Sequence, residues 1–283
     1  MPLKTISLAL IANSDPDPAA AVRYALDLAG RTRAHLFVRI GVPPLMIPTL
    51  GYPMRGAASQ MQAIIEEENV ERTEQAEQMA LMIRTEAERL GAIASVEVRS
   101  AAYDPLAPHL MRMARVSDVC ITLAPPSTEP QQREILIDML FGSGAPLLLV
   151  PANWNKPGPV RKAIVAWDGG ASAARAVRDA LPLLAAAEMV EVVSVLGEKD
   201  ITAEASGADI ARHLTRHCPE VCVNVLPVGE DGVAATLFAH GILTLADLMF
   251  MGGYGHSRLR EFILGGVTRD TLARTDIPAL LSH

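Results

Sequence analysis

Aromatic residues are scarce in this sequence, 4% of 283 residues. A core without them has to be assembled from Ala, Val, Leu, Ile and Met, which suits helices packed on parallel sheet covered on both faces. Cysteine is scarcer still. Cys120, Cys218 and Cys222 are the three present, too few for a disulfide framework. Cys120 and Cys222 lie within apolar runs and read as small buried hydrophobes. His217, Cys218 and Cys222 would hold a metal only if a further Cys or His pair completed the ligand set, and none stands beside them. Lys and Arg form no run, and the net charge is −7. That acidic balance repels phosphate backbones, so a nucleic-acid groove is not expected. No apolar stretch reaches the ~18 residues of a membrane-spanning helix. The opening MPLKTISLALIANSD runs into a polar turn at 13–18 with no small-residue cleavage site, which reads as the absence of a signal peptide and places the expectation in the cytoplasm.

Hydrophobic residues are abundant, at 50%, and the length suits one large domain or two of ordinary size. A duplication favours two. Ala21-Val22-Arg23-Tyr24-Ala25-Leu26 returns as Ala176-Val177-Arg178-Asp179-Ala180-Leu181. Val116-Ser117-Asp118-Val119-Cys120-Ile121 returns as Leu245-Ala246-Asp247-Leu248-Met249-Phe250. Pro146-Leu147-Leu148-Leu149-Val150 returns as Pro278-Ala279-Leu280-Leu281-Ser282. Three matches in one order mark an internal repeat. The Pro- and Gly-bearing stretch 153–159 is the natural linker, which divides the chain into domains 1–152 and 160–283.

Each half alternates short apolar runs with longer amphipathic ones. Strands are expected at 3–12, 34–41, 95–101, 118–123 and 146–150, and again at 163–168, 190–196, 221–228, 248–252 and 278–281. Helices are expected at 19–31, 60–90, 105–115 and 131–140, and at 172–186, 208–217, 232–241 and 267–275. That alternation gives βαβ units with right-handed crossovers. Two tandem flavodoxin-like α/β domains follow, each a five-stranded parallel sheet with helices on both faces. The short apolar strands at 146–150 and 278–281 would be open edges, and they are expected to pack against each other within one chain.

In such sheets a ligand sits beyond the carboxyl ends of the strands, at the loops after the first and fourth strands. In the second half these loops begin Trp167-Asp168-Gly169-Gly170 and Gly252-Gly253-Tyr254-Gly255-His256-Ser257, the latter running on to Gly265-Gly266-Val267-Thr268-Arg269. Gly252 and Gly255 let backbone approach a bulky anion. Gly265 and Gly266 precede the last helix, whose unpaired N–H groups make a phosphate seat. The Asp168 carboxylate would accept from an adenine amino group or a ribose hydroxyl, or else cap the next helix. Glycines after a strand also make plain turns.

The spacing of Gly252, two residues, Gly255, nine residues, Gly265 resembles the signature of the universal stress protein family. The resemblance covers the chain as two copies. It implies ATP or another adenine nucleotide, with or without Mg2+, and a role in stress tolerance. It also implies that Asp168 contacts adenine. Gly266 stands where the family's ATP binders carry Ser or Thr, so the hydroxyl contact is missing there, and Thr268 is a candidate replacement. Family members commonly pair domains through the last strand.

The first half departs from the pattern. Asn13 replaces the acid, and the loop Ala124-Pro125-Pro126-Ser127-Thr128-Glu129-Pro130 has no glycine. Proline offers no N–H to a phosphate. Gly142 and Gly144 read as the stop of the last helix.

Other features carry two readings each. The apolar, Pro-rich loop 41–58 is a lid or a homodimer contact, or it folds back on its own domain. The glutamates of 60–90 read as the solvated face of a long helix. His256 and Ser257 lack an acid placed to orient the histidine, so no catalytic residue is assigned. Arg258 and Arg269 are better read as phosphate-steering. A nucleotide-binding regulatory protein, an interaction module without nucleotide and a slow ATPase thus remain in order of preference.

Overall fold

A computed structural model describes residues 2–12, 16–45, 57–100, 106–125, 130–156, 158–196, 207–253 and 266–283. The first half runs β1 (Thr5–Ile11), α1 (Ala19–Thr32), β2 (His35–Val42), α2 (Ala57–Leu90), β3 (Ala94–Ser100), α3 (Leu106–Ala114), β4 (Val119–Leu123), α4 (Pro130–Gly142) and β5 (Leu147–Val150). The second runs β6 (Lys162–Ala166), α5 (Ala171–Leu184), β7 (Met189–Leu196), α6 (Ala208–Leu214), β8 (Val221–Pro227), α7 (Gly232–Leu243), β9 (Leu248–Gly252), α8 (Gly266–Ala273) and β10 (Ala279–Ser282).

The two parallel five-stranded sets join into one ten-stranded sheet of order β3-β2-β1-β4-β5-β10-β9-β6-β7-β8. The join is antiparallel, with Leu147, Leu148 and Leu149 opposite Leu281, Leu280 and Ala279. The expected open edges are therefore the centre of the sheet, and every residue of β5 and β10 is buried. The true edges, β3 and β8, bury no residue fully, alternate half-buried with exposed positions, and carry Glu97, Arg99, Asn224 and Pro227. Charges and a proline suit an edge that must not recruit another strand.

Two apolar clusters cover the two faces. One packs α1, α2, α5 and α6 on the sheet, the other α3, α4, α7 and α8, and both draw on both halves. Trp154 of the connecting segment packs against both. The repeated helix segments explain themselves here: Ala21 and Ala25 of α1, and Ala176 and Ala180 of α5, are buried against the sheet, where a larger side chain would hold the helix away.

The repeated aspartate is also structural. Asp118 Oδ2 accepts the N–H groups of Lys4 and Thr5 at 2.6 and 2.8 Å. Asp247 Oδ2 accepts those of Arg161 and Lys162 at 2.9 and 3.0 Å. Each carboxylate, at the start of a fourth strand, thus fixes the start of the adjacent first strand. The connecting segment is held to the first half by Gly158 N–H, which donates to Asp27 Oδ2 at 3.1 Å.

Several boundaries differ from expectation. The helix expected from 60 begins at Ala57, and among its described residues no side chain before Ala76 is buried. Glutamate and alanine sustain a helix by propensity beyond its packed part. Of the cysteines, Cys222 is half-buried and Cys218 is buried, its thiol donating to Leu184 O. The apolar run around Cys222 lies on edge strand β8, which has only one well-covered face.

Candidate functional site

β6 and β9 are adjacent and parallel, so the loops after them open at the same end of the sheet. Trp167 N–H donates to Val193 O at 2.8 Å, and the Ser194 hydroxyl donates to Trp167 O at 2.9 Å. The loop after β6 is thereby tied to β7. Gly169 takes φ +75°, a left-handed turn that favours glycine. Asp168 Oδ1 accepts the Gly170 N–H at 2.8 Å, while the N-cap of α5 is Gly170 and takes no side-chain cap. Asp168 thus shapes the loop from which α5 is launched.

The end of β9 lies against the start of α5. A Cβ at Gly252 would stand 2.6 Å from Ala173 N and 2.7 Å from the Ser172 carbonyl carbon. Backbone meets backbone there, so glycine at 252 is required by packing alone. Gly253 N–H donates to Ser282 O at 2.7 Å, and a ring nitrogen of His283 pairs with Gly253 O at 3.0 Å. His283 in turn meets Phe141 of α4 edge-on, with ring centroids 4.5 Å apart. The root of the glycine loop is thus braced by the final residues of the chain and by a helix of the other half.

Gly255 and Gly265, with His256, Ser257 and Arg258, lie outside the described residues. Gly266 opens α8 and is exposed, and among the described residues a Cβ there would meet nothing within 4 Å. Val267 is half-buried and Thr268 is buried, with 3% exposure. Arg269 is exposed, and its Nε donates to Asp270 Oδ1 at 3.3 Å. The Thr271 hydroxyl lies 3.5 Å from Met251 Sδ, setting α8 beside the end of β9. Asp168, Gly252 and the start of α5 are therefore brought together, with α8 alongside. The first turn of α8 carries no acidic residue, which leaves its positive dipole end uncompensated from within that turn.

Among the described residues, the equivalent place in the first half is tightly filled. Pro125 is buried, and the cleft between Ile11, Pro18, Thr122, Pro125, Gln132 and Leu136 holds a cavity of about 20 Å3. That is room for roughly one water. Asn13 and residues 126–129 lie outside the described residues, as do 46–56 of the apolar loop expected to serve as lid or dimer contact.

Two buried polar clusters have no counterpart in the sequence reading. Glu191 on β7 meets Lys162 Nζ at 2.9 Å, His240 Nε2 at 2.9 Å and Asn224 Nδ2 at 3.1 Å. Burial opposes its charge, but those partners outweigh burial and hold the carboxyl below its ordinary value. In the first half, Arg39 on β2 pairs with Glu97 at 2.8 Å and lies 3.3 Å from His109 Nδ1. Burial, and then the Arg39 guanidinium, push the His109 imidazole below its ordinary value. A charged residue inside an otherwise apolar strand was the one available signal for each. Among the described residues, no three His, Cys, Asp or Glu side chains cluster as metal ligands, and no helix is long and apolar enough to cross a membrane.

No protein-family model and no curated protein matches the chain. Solved structures do. A universal stress protein from Archaeoglobus fulgidus DSM 4304 superposes with TM-score 0.69 at 15% identity, covering 98% of this chain and 97% of that one. A functionally unknown protein from Pseudomonas aeruginosa PAO1 superposes with TM-score 0.58 at 14% identity, covering 98% and 92%. The chain therefore has the α/β fold of a universal stress protein, and shares it from end to end.

Proposed function

We propose that this chain is a universal stress protein in function as in fold: a regulatory protein that binds one adenine nucleotide, in its second domain. The two domains of the proposal are 1–152 and 160–283. The observation that carries the reading is the contrast between the halves. At the carboxyl ends of β6 and β9, Asp168 and Gly252 flank the start of α5, with α8 beside them. At the same ends of β1 and β4, prolines and Leu136 leave about 20 Å3. That contrast supports a single nucleotide, seated in the second half.

In this reading Asp168 contacts the adenosine moiety. Gly252, Gly255 and Gly265 keep the phosphate path free of side chains. The N–H groups of Gly266, Val267 and Thr268 receive phosphate at the helix N-terminus. ATP is the preferred ligand, and no catalytic residue is assigned. Mass spectrometry of small molecules released on denaturing the purified protein tests the reading, with an adenine nucleotide as the expected finding.

A second reading is favoured by one observation. Gly252 is required by its contact with the α5 backbone whether or not a ligand binds, and Gly266 supplies no hydroxyl. An interaction module that has kept the glycine for packing and lost the nucleotide would look the same there. Failure to detect or titrate any adenine nucleotide selects this second reading.

A further inference from the structure

The connecting segment does more than link the halves. It forms part of the wall of a half-open surface cavity of about 440 Å3 lined by Tyr24 of α1, by Trp154 and the exposed Lys156 and Arg161, and by Asp247 just before β9. Three separate stretches of chain, from both halves, meet there. The volume lies within the ordinary range for a small-molecule site, and it is the larger of the two cavities described above by a wide margin.

The wall chemistry is selective. Lys156 Nζ lies 5.1 Å from the centre of the Trp154 ring, and Arg161 supplies a second cation. The one carboxylate, Asp247, already accepts two backbone N–H groups through Oδ2. Lining charges are therefore two positive and one negative, on a chain whose net charge is −7. Burial, its largest influence, raises the Tyr24 phenol far above its ordinary value, so this hydroxyl remains a neutral donor. Nearby, Asp27 and Arg31 pair at 2.7 Å and add no net charge.

We propose that this seam cavity binds a small anion with a planar body, a phosphate monoester or an aromatic carboxylate. Lys156 and Arg161 receive the anionic group, and Trp154 and Tyr24 contact the body. The site is separate from the nucleotide loop. Arg161 and Asp247 precede β6 and β9, whereas Asp168 and Gly252 lie at the other ends of those strands, a strand length of roughly 17 Å away. Because the cavity touches α1, the connector and the starts of β6 and β9, its occupant would bind to both halves at once.

Trp154 and Trp167 are the two tryptophans, so a Trp167→Phe protein reports from the seam alone. Phenyl phosphate and benzoate are titrated separately into it while Trp154 emission is followed. A saturable change with either ligand is expected, and the stronger one names the anionic group. Adding Lys156→Ala and Arg161→Ala should weaken binding about tenfold or more, and Lys156→Ala alone by less. Adding Asp168→Ala should leave it unchanged. No saturable change with either ligand at millimolar concentration overturns the proposal. So does binding that survives the double substitution, or binding lost with Asp168→Ala, which would place the ligand at the nucleotide loop instead.

Discussion

Leu148 of β5 and Leu280 of β10 lie directly opposite each other across the antiparallel join of the sheet, with 0% and 1% exposure. They hold together two sets of strands that are parallel within themselves, and the apolar clusters on both faces run across the join. The halves should therefore unfold as one unit. Leu280→Ala should cost about 2–5 kcal/mol, the range for an emptied core leucine. Urea denaturation followed by far-UV circular dichroism and by tryptophan emission should show a single shared transition at lower urea. Two separate transitions in the unsubstituted protein would show that the join does not couple the halves.

Asp118 and Asp247 each accept two N–H groups at the start of a strand. Asp118→Ala and Asp247→Ala should each cost about 1–3 kcal/mol, because two strand-initiating donors lose their charged acceptor. Asp118 belongs neither to the loops after β6 and β9 nor to the lining of the seam cavity, so its replacement should leave nucleotide affinity unchanged. Paired denaturation and binding measurements on Asp118→Ala check both parts.

Acid should weaken the fold in two stages. His109 is held below its ordinary value by burial and by Arg39, with Arg99 and Arg112 adding to the effect and Glu97 opposing it. The unfolded chain takes up that proton near the ordinary histidine value of about 6.5, the folded chain only at lower pH. Stability from this group is complete above that value and declines as pH falls below it. Glu191 is likewise held below its ordinary value, burial being outweighed by Lys162, Asn224 and His240. Its share is complete above the ordinary glutamate value and is lost as pH falls through the folded one. His109→Gln keeps an acceptor for Arg39 and should flatten the dependence of the urea midpoint on pH between about 5 and 6.5. An unchanged slope would remove His109 from the account.

Gly252→Ala separates packing from binding. The added Cβ would lie 2.6 Å from the Ala173 backbone nitrogen, which cannot swing aside as a side chain can. Destabilisation of about 1–3 kcal/mol is expected without any nucleotide present. A protein of unchanged stability would show that the contact between β9 and α5 relaxes freely.

The architecture was legible because apolar runs of strand length alternated with helical ones and because the chain repeats. The repeat located Asp118 and Asp247 without revealing their work, since a hydrogen bond to a strand 86 or 114 residues away leaves no local pattern. Leu147–Val150 and Ala279–Ser282 were legible as partners because each is short, apolar and last in its half. The seam cavity was not legible at all. Tyr24, Trp154 and Asp247 are distant in sequence, and the linker reads as linker whatever lies beneath it. For Gly252, the spacing pattern pointed to a ligand, whereas the backbone of α5 supplies a sufficient reason of its own.

The central claim is that the halves share a fold and divide in function. Equilibrium dialysis of the intact protein against labelled ATP measures that division directly. The account predicts saturation at about one nucleotide per chain, with affinity reduced about tenfold or more by Asp168→Ala. Saturation at two per chain would contradict the closure of the first half at Pro125 and Leu136. No binding at all would contradict the nucleotide site and leave the interaction module as the function of this fold.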